Sequence, residues 1–416
     1  MNRSSRRFFF LLLFGIVLLF VALRWPMLDV PMERDEGEYA TIGLGIFHGI
    51  PPYSESYTMK LPGAAALHAV IFWLLGPTVR SLHLALLLIN AMTLVLVASA
   101  GRQLLGAQGG LFAGAAYGTF TLGTGMFGFW LSAEHFAALF LMAGACAMIA
   151  QIKKRNLAFL VLGSVLLGGS VVVKHHAALP ALAWLMVTIW KNSSGVRQDS
   201  ALSPQSSVLA GGGMLLAFLA PVLITMLAMA SCGVWEKFRF WTWDYAKQYA
   251  SAVPLGVGWE YFKIGGGKIF LDAPLLWTLA LFGLGGLICR PATVPTLDPA
   301  RAWLVPVALA SAIAVSMGLL FRGQYFILLA PAAALLSGAA WETLRWWRLG
   351  NRWDCFTLPP LRYLPGAVLL AGSFIVLLEP LMLEIHRTPA EVCRQVYGLN
   401  PFPEYAVVAD HLTGLY

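Results

Sequence analysis

Charged residues are scarce in this sequence. Asp, Glu, Lys and Arg make up 12% of its 416 residues, whereas hydrophobic residues make up 59%. A soluble domain carries about 25% charged residues, so this composition excludes an ordinary soluble protein. The apolar residues fall in runs about as long as the ~20 residues that cross a bilayer. The sequence therefore predicts an all-α fold, a polytopic transmembrane helical bundle.

The sequence does not predict nucleotide or nucleic-acid binding. The segment GGGK at 265–268 resembles a P-loop, but Phe262 stands where the motif needs glycine and Ile269 replaces Ser or Thr. The net charge of +8 does not indicate nucleic acid, because membrane proteins concentrate Lys and Arg in cytoplasmic loops. We therefore expect no nucleotide-binding domain and no nucleic-acid partner.

The five cysteines are dispersed and show no spacing typical of a metal site. Cys232 and Cys393 lie on the same side of the predicted topology, which allows a disulfide between them. No metal and no cofactor are expected from these patterns.

The N-terminus lacks a signal-peptide cleavage site. Its first apolar run follows three arginines, but Arg24-Trp25-Pro26 comes next instead of small residues. We expect an uncleaved first helix and about 11 spans. They are predicted at 8–24, 80–100, 108–129, 132–150, 156–173, 176–190, 207–230, 271–289, 302–320, 324–340 and 363–382.

Basic residues set the predicted orientation. With the N-terminus in the cytoplasm, the inner segments, including the N-terminal arginines, hold 15 basic residues against four acidic ones, and the outer segments hold 13 against 16. This basic excess inside is what the positive-inside rule requires. The C-terminus then lies outside, and the protein is a multi-pass protein of the inner (plasma) membrane. We expect a transmembrane domain over residues 1–383 and a short external tail over 384–416, without a further folded domain.

Two outer segments between the spans are long. The first, about residues 25–79, includes an amphipathic stretch at 38–49 that favours helices lying in the membrane interface. The second, about 232–270, is rich in tryptophan, tyrosine and phenylalanine. Such a segment is typical of an interfacial belt, and a platform on which sugar rings stack is the alternative.

Carboxylates, although rare, are concentrated directly after the first apolar run. Four of the 20 acidic residues occur at positions 33, 35, 36 and 38. Asp35 and Glu36 are candidates for a general base that accepts a proton from a hydroxyl or amine. A solvated acidic loop is the alternative interpretation.

Basic residues on the same predicted side are candidates for phosphate binding. Lysine acts as a compact charge and arginine as a planar fork for phosphate oxygens, although each residue can instead mark the membrane boundary. Glu134, at the start of the fourth span, is expected to be paired or functional. The phosphate-binding candidates are Lys60, Lys174, His175, His176 and Arg322.

Four short segments resemble the GT-C membrane glycosyltransferases, specifically the group of protein O-mannosyltransferases and lipid A aminoarabinose transferases. They are RDEGEYA at 34–40, KLPG at 60–63, QYF at 324–326 followed by AP at 330–331, and YGLNPFPE at 397–404. Gln324 is a departure, because that group often has histidine before the tyrosine.

The resemblance implies an inverting sugar transfer from a polyprenyl-phosphate donor. Asp35 would be the base, Glu36 would support it, Lys60 would contact the donor phosphate, and Tyr325 would belong to the late motif. The expected partners are a lipid-linked sugar, a glycan, glycolipid or protein acceptor, and the bilayer. A lipid-linked sugar flippase and a membrane scaffold remain alternatives. Neither the sugar nor the acceptor is indicated.

Overall fold

The computed structural model describes residues 3–154, 156–196, 204–289, 297–349 and 387–413. Within these ranges every regular element is helical, which confirms the all-α prediction. The longer helices run through one bundle, and shorter helices lie at one of its ends. The predicted span at 363–382 falls outside the described residues.

The helices begin and end where the sequence places caps, glycines and prolines. Glu33 caps α2, Thr78 caps α4 and Asn156 caps α7 with their side chains, while α3 and α4 end at Gly76 and Gly106 with positive φ. The bounds are α1 Arg3–Arg24, α2 Arg34–Phe47, α3 Gly63–Leu75, α4 Val79–Leu105, α5 Ala107–Phe120, α6 Ala133–Lys154, α7 Leu157–Val173 and α8 Ala178–Val196.

The second half of the chain is more broken. Helix α9 spans Pro204–Ser231, and the aromatic segment then forms α10 Trp235–Arg239, a π-helical stretch Phe240–Tyr245, α11 Ala246–Ala250 and α12 Leu255–Asp272. Further along come α13 Pro274–Cys289, α14 Asp298–Ser316, a 3₁₀ segment Gly323–Leu328 and α15 Ala330–Leu349. Two short helices, Pro389–Tyr397 and Phe402–Thr413, belong to the tail.

Small residues let the central helices approach closely. Gly101 on α4 faces Gly110 on α5, and a Cβ on Gly110 would come within 2.5 Å of the Arg102 backbone nitrogen. Any side chain at Gly110 would therefore separate the two helices. Close packing of this kind is typical of helices that associate inside a bilayer.

Five described helices are long and apolar enough to cross a membrane, or six if the bent pair α12–α13 counts as one span. The protein is thus a multi-pass helical membrane protein, but the span count of about 11 is not confirmed. The predicted 108–129 span is wrong as a single helix, because α5 ends at Phe120. Arg24 donates hydrogen bonds to the carbonyls of Thr121 and Gly128, at 2.5 and 2.6 Å, and holds the following residues as a loop.

The disulfide that the predicted topology allows between Cys232 and Cys393 does not form. Cys232 and Cys393 are both free cysteines in the structure. Cys232 is exposed, whereas Cys393 is buried, so their thiols lie in different environments.

Candidate active site

Helix α2 places Asp35 in a buried position at the end of the bundle where α2 and α3 lie. Its side chain is 10% exposed. Oδ1 lies 3.3 Å from Lys60 Nζ and 3.4 Å from Arg34 Nη2, while Oδ2 accepts a hydrogen bond from Gln324 Nε2 at 3.1 Å. Asp35 therefore has donors on both oxygens, contributed by residues from distant parts of the sequence.

Lys60 connects Asp35 to a second carboxylate. Its Nζ lies 2.8 Å from Glu38 Oε2 and 4.5 Å from the centre of the Tyr39 ring. The loop carrying Lys60 is fixed because the Tyr53 hydroxyl donates to the Lys60 carbonyl at 2.7 Å. The ammonium group is thus held between Asp35 and Glu38, and Glu38 is still partly exposed, at 31%.

Electrostatics keep Asp35 ionised. Burial alone would raise the pKa of Asp35, but the positive charges of Lys60, Lys174, Arg34 and Arg322 outweigh it and lower the pKa to about 2. Asp35 therefore carries a negative charge throughout the physiological pH range. A carboxylate in this state can accept a proton but cannot donate one.

Lys174 and Glu134 form a buried ion pair beside this centre. Lys174 follows α7, Glu134 lies in the first turn of α6, and Nζ is 2.7 Å from Glu134 Oε1. The ammonium group also lies 5.0 Å from the centre of the Tyr325 ring. Lys174 is therefore neutralised by Glu134 while it adds positive potential at Asp35.

His175 and His176 are neutral, contrary to the expectation that they add positive charge. Burial, with the positive charge of Lys174, lowers the pKa of His175 to about 4. Burial, His175 and Lys174 lower the pKa of His176 to about 2. The His176 ring packs on Tyr325 with their centres 5.1 Å apart, so these imidazoles can form hydrogen bonds but carry no charge at neutral pH.

Arg322 precedes the 3₁₀ segment and is half-buried. Its Nη2 lies 3.2 Å from the Tyr249 hydroxyl on α11. Although burial lowers the pKa of Arg322, the nearby Tyr325, Tyr249, Asp35 and Glu33 raise it overall. Arg322 therefore remains a cation at the edge of the site.

The aromatic-rich segment at 232–270 reaches this edge. Tyr57 and Trp241 pack with ring centres 5.4 Å apart, and Trp241 packs on Tyr245 at 5.1 Å. Tyr249 follows on α11 and contacts Arg322. The segment thus connects the loop between α2 and α3, which carries Tyr57, to the site. Both the interfacial-belt and the sugar-platform interpretations remain predictions.

Glu36 points into the bundle instead of toward Asp35's partners. The side chain is fully buried; Oε1 accepts the Leu131 backbone N–H at 2.8 Å and lies 3.2 Å from His83 Nε2. His83 Nδ1 lies 2.9 Å from the Leu28 carbonyl. Because both imidazole nitrogens face acceptors, a proton must lie between His83 and Glu36. This pair joins α2 to α4 and to the loop before α6.

We expect His83→Leu to destabilise the protein by about 3–5 kcal/mol, because it leaves Glu36 buried without its charged partner. His48→Leu is the matched control, since His48 is exposed at the end of α2. Denaturant unfolding of the detergent-solubilised proteins measures the free energy of unfolding of both variants. Equal stability of the two variants would contradict an anchoring role for the Glu36–His83 pair.

Glu33 is a buried acid at the start of α2. Its side chain accepts the Glu36 backbone N–H at 3.1 Å. Burial, together with the negative charges of Asp35 and Glu36, raises the pKa of Glu33 to about 8 from its ordinary value of 4.5. The carboxyl group is therefore mostly protonated at neutral pH.

Glu33→Gln is expected to flatten the pH dependence of stability. Between pH 4.5 and about 8 the folded protein holds a proton on Glu33 that the unfolded chain has released. Stability therefore falls as pH rises, by up to ~1.4 kcal/mol per pH unit. The melting temperatures measured at pH 5 and pH 8 should differ less for Glu33→Gln than for wild type. An equal difference in the two proteins would contradict the burial of a neutral Glu33.

The sequence missed several of these residues. Glu38 lies within the acidic cluster but was not predicted to be a site residue. Its pairing with Lys60 depends on the path of the loop between α2 and α3, which the sequence does not indicate. His83 lies within an apolar helix and carries no motif.

In the described part of the chain, no group of three or more His, Cys, Asp or Glu side chains could hold a metal ion.

The protein is thus a multi-pass helical membrane protein with a buried centre of carboxylates and cations at one end of its bundle. No protein-family model and no curated protein matches the chain. Among solved structures, ArnT from Cupriavidus metallidurans bound to undecaprenyl phosphate is similar, with a TM-score of 0.55, 21% identity, and coverage of 80% of this chain and 62% of ArnT.

A second similar structure is the archaeal oligosaccharyltransferase AglB from Archaeoglobus fulgidus in complex with an inhibitory peptide and a dolichol-phosphate. It has a TM-score of 0.58, 13% identity, and coverage of 92% of this chain and 56% of AglB. The chain thus spans less than two thirds of the length of either structure. Both are GT-C proteins, and the chain has the GT-C fold.

Proposed function

We propose that this protein is an integral-membrane glycosyltransferase that transfers a sugar from a polyprenyl-phosphate-linked donor to an acceptor. The observation that carries the proposal is Asp35, an ionised and buried carboxylate held by Lys60 and Gln324. A base for the acceptor lies directly beside a cation for a phosphate. The lipid phosphates bound to ArnT and AglB support the same donor class.

In the proposed mechanism, Asp35 accepts the proton of an acceptor hydroxyl or amine as that atom attacks the anomeric carbon. The bond between this carbon and the phosphate oxygen breaks, and the polyprenyl phosphate leaves with the bonding electrons. Lys60 and Arg322 stabilise the negative charge that develops on the leaving group. Attack from the face opposite the phosphate inverts the anomeric configuration.

Donor binding would also strengthen the base. In the absence of a donor, Lys60, Lys174, Arg34 and Arg322 lower the pKa of Asp35 to about 2, a value at which the carboxylate is a weak base. A bound phosphate anion would neutralise part of this positive potential and raise the pKa of Asp35. The carboxylate would then be a better proton acceptor only once the donor is in place.

The charges favour the outer, periplasmic or lumenal, side of the inner membrane for this site. The opposite end of the bundle carries Arg6, Arg102, Lys153 and Lys154, at the start of α1 and the ends of α4 and α6. The positive-inside rule assigns that end to the cytoplasm.

Transport of a lipid-linked sugar is the second candidate function. One observation favours it, because α12 and α13 meet at 102° across a short break, as in the interrupted helices of transporters. However, the ionisable residues of the candidate site lie at one end of the bundle, whereas transporter sites lie near the bilayer midplane. We therefore favour transfer over transport.

The test is to incubate the purified protein with a panel of labelled polyprenyl-phosphate sugars and a membrane extract. The proposal predicts that the label of at least one donor moves to a covalent product. Movement of intact donor across a vesicle membrane without a labelled product would favour transport, and no consumption of any donor would refute the transferase.

A further inference from the structure

Gln324 has one half of its carboxamide bound and the other half free. Its side chain is buried, with 4% exposure, in the 3₁₀ segment Gly323–Leu328. Nε2 donates to Asp35 Oδ2 at 3.1 Å, whereas Oε1 is buried without a hydrogen-bond partner in the described part of the chain. A buried oxygen in this state is uncommon, because nearly all buried polar atoms are paired.

The orientation of this carboxamide follows from its neighbour. An ionised Asp35 only accepts hydrogen bonds, so it must face the NH₂ group of Gln324. Oε1, bonded to the same carbon as Nε2, then lies immediately beside the carboxylate. The free lone pairs are therefore next to the proposed reacting atoms.

The backbone holds Gln324 in this position. Gly323 packs so closely on the loop after α5 that a Cβ would lie 2.0 Å from the Gly125 carbonyl oxygen. On the other side, Tyr325 is packed between His176 and Lys174. The carboxamide therefore cannot move far to find another partner within the protein.

We propose that Gln324 is a specificity-determining residue whose Oε1 accepts a hydrogen bond from an O–H or N–H group of the substrate at the reacting centre. The inference rests on the proposed transferase function. A carbonyl oxygen repels the oxygens of a phosphate, so Oε1 fits a hydrogen donor on the transferred sugar or on the acceptor. Gln324 would then hold Asp35 and the substrate at the same time.

Substrate analogues test this role. Wild type and Gln324→Met are assayed with the donor accepted from the panel and with its monodeoxy analogues. If the group belongs to the sugar, one deoxy analogue should lower the wild-type kcat/KM by about 10–100-fold, and Gln324→Met should no longer discriminate against it. Gln248→Met, at an exposed position on α11, is the matched control and should discriminate as wild type does.

The acceptor arm compares acceptors that keep the reacting hydroxyl or amine and carry either a hydroxyl or a methylated oxygen at a neighbouring, non-reacting position. If the group belongs to the acceptor, the methylated compound should be rejected by wild type and no longer discriminated by Gln324→Met, with every deoxy donor unaffected.

Affinity for undecaprenyl phosphate, which carries no sugar, is the binding control. Gln324→Met should bind it within about twofold of wild type, whereas a loss of tenfold or more would place Gln324 at the phosphate and overturn the inference. Unchanged discrimination in both arms would overturn it as well. If wild type transfers from no donor, the proposed function itself fails, which is a separate result.

Discussion

Asp35→Asn is expected to lower the rate of sugar transfer by about 10²–10⁴-fold, the usual contribution of a general base. Asparagine has nearly the same shape as aspartate but cannot accept the acceptor's proton. The fold should be retained, because Lys60 keeps its contact with Glu38 at 2.8 Å. The measurement is the initial rate of label transfer by the two purified proteins.

Asp29→Asn is the matched control for this substitution. Asp29 lies six residues before Asp35, in the loop that precedes α2, but it is 58% exposed and paired with Arg80 at 2.8 Å. The transfer rate of Asp29→Asn should therefore equal that of wild type. A transfer rate of Asp35→Asn within a few-fold of wild type, with normal expression, would show that another group takes the proton.

Lys60→Met is expected to lower kcat/KM for the donor by about 10²–10³-fold, comparable to the loss of one charge-stabilising donor in other active sites. Methionine resembles the unbranched aliphatic part of the lysine side chain but lacks the cation that would face the phosphate. Lys60→Arg should keep part of the activity because it keeps the charge. Steady-state kinetics with varied donor concentration measure the effect.

The same substitution should shift the pH dependence. Lys60 contributes the largest single lowering of the Asp35 pKa, so its removal raises that pKa. Because Asp35 must be ionised to act, the acid limb of the kcat/KM profile should move to higher pH in Lys60→Met. The matched control is Lys237→Met, since Lys237 is an exposed lysine that donates to the Ser54 carbonyl. An unchanged kcat/KM in Lys60→Met would contradict a role for Lys60 at the phosphate.

The sequence predicted the fold class and the position of most helices, because apolar runs and helix caps are local signals. It failed at 121–129, where the chain is apolar enough to continue α5 but is held as a loop by Arg24. Hydrophobicity alone does not report a contact between residues about 100 positions apart.

The candidate site was only partly predictable. Asp35 and Lys60 were both selected, and the structure brings them within 3.3 Å. Asp35 and Glu36 were expected to act together, but adjacent helix residues point about 100° apart, so Glu36 faces His83 instead. The bond between Gln324 and Asp35 joins residues 289 positions apart, and no local pattern indicates it.

The most direct test of the account follows polyprenyl phosphate release and sugar transfer in the same reaction, with wild type and Asp35→Asn side by side. Wild type should release one polyprenyl phosphate for each sugar that appears on the acceptor. Asp35→Asn should bind the donor with nearly wild-type affinity and release almost none. Equal release by the two proteins, or no release by wild type with any donor of the panel, would contradict a transferase centred on Asp35.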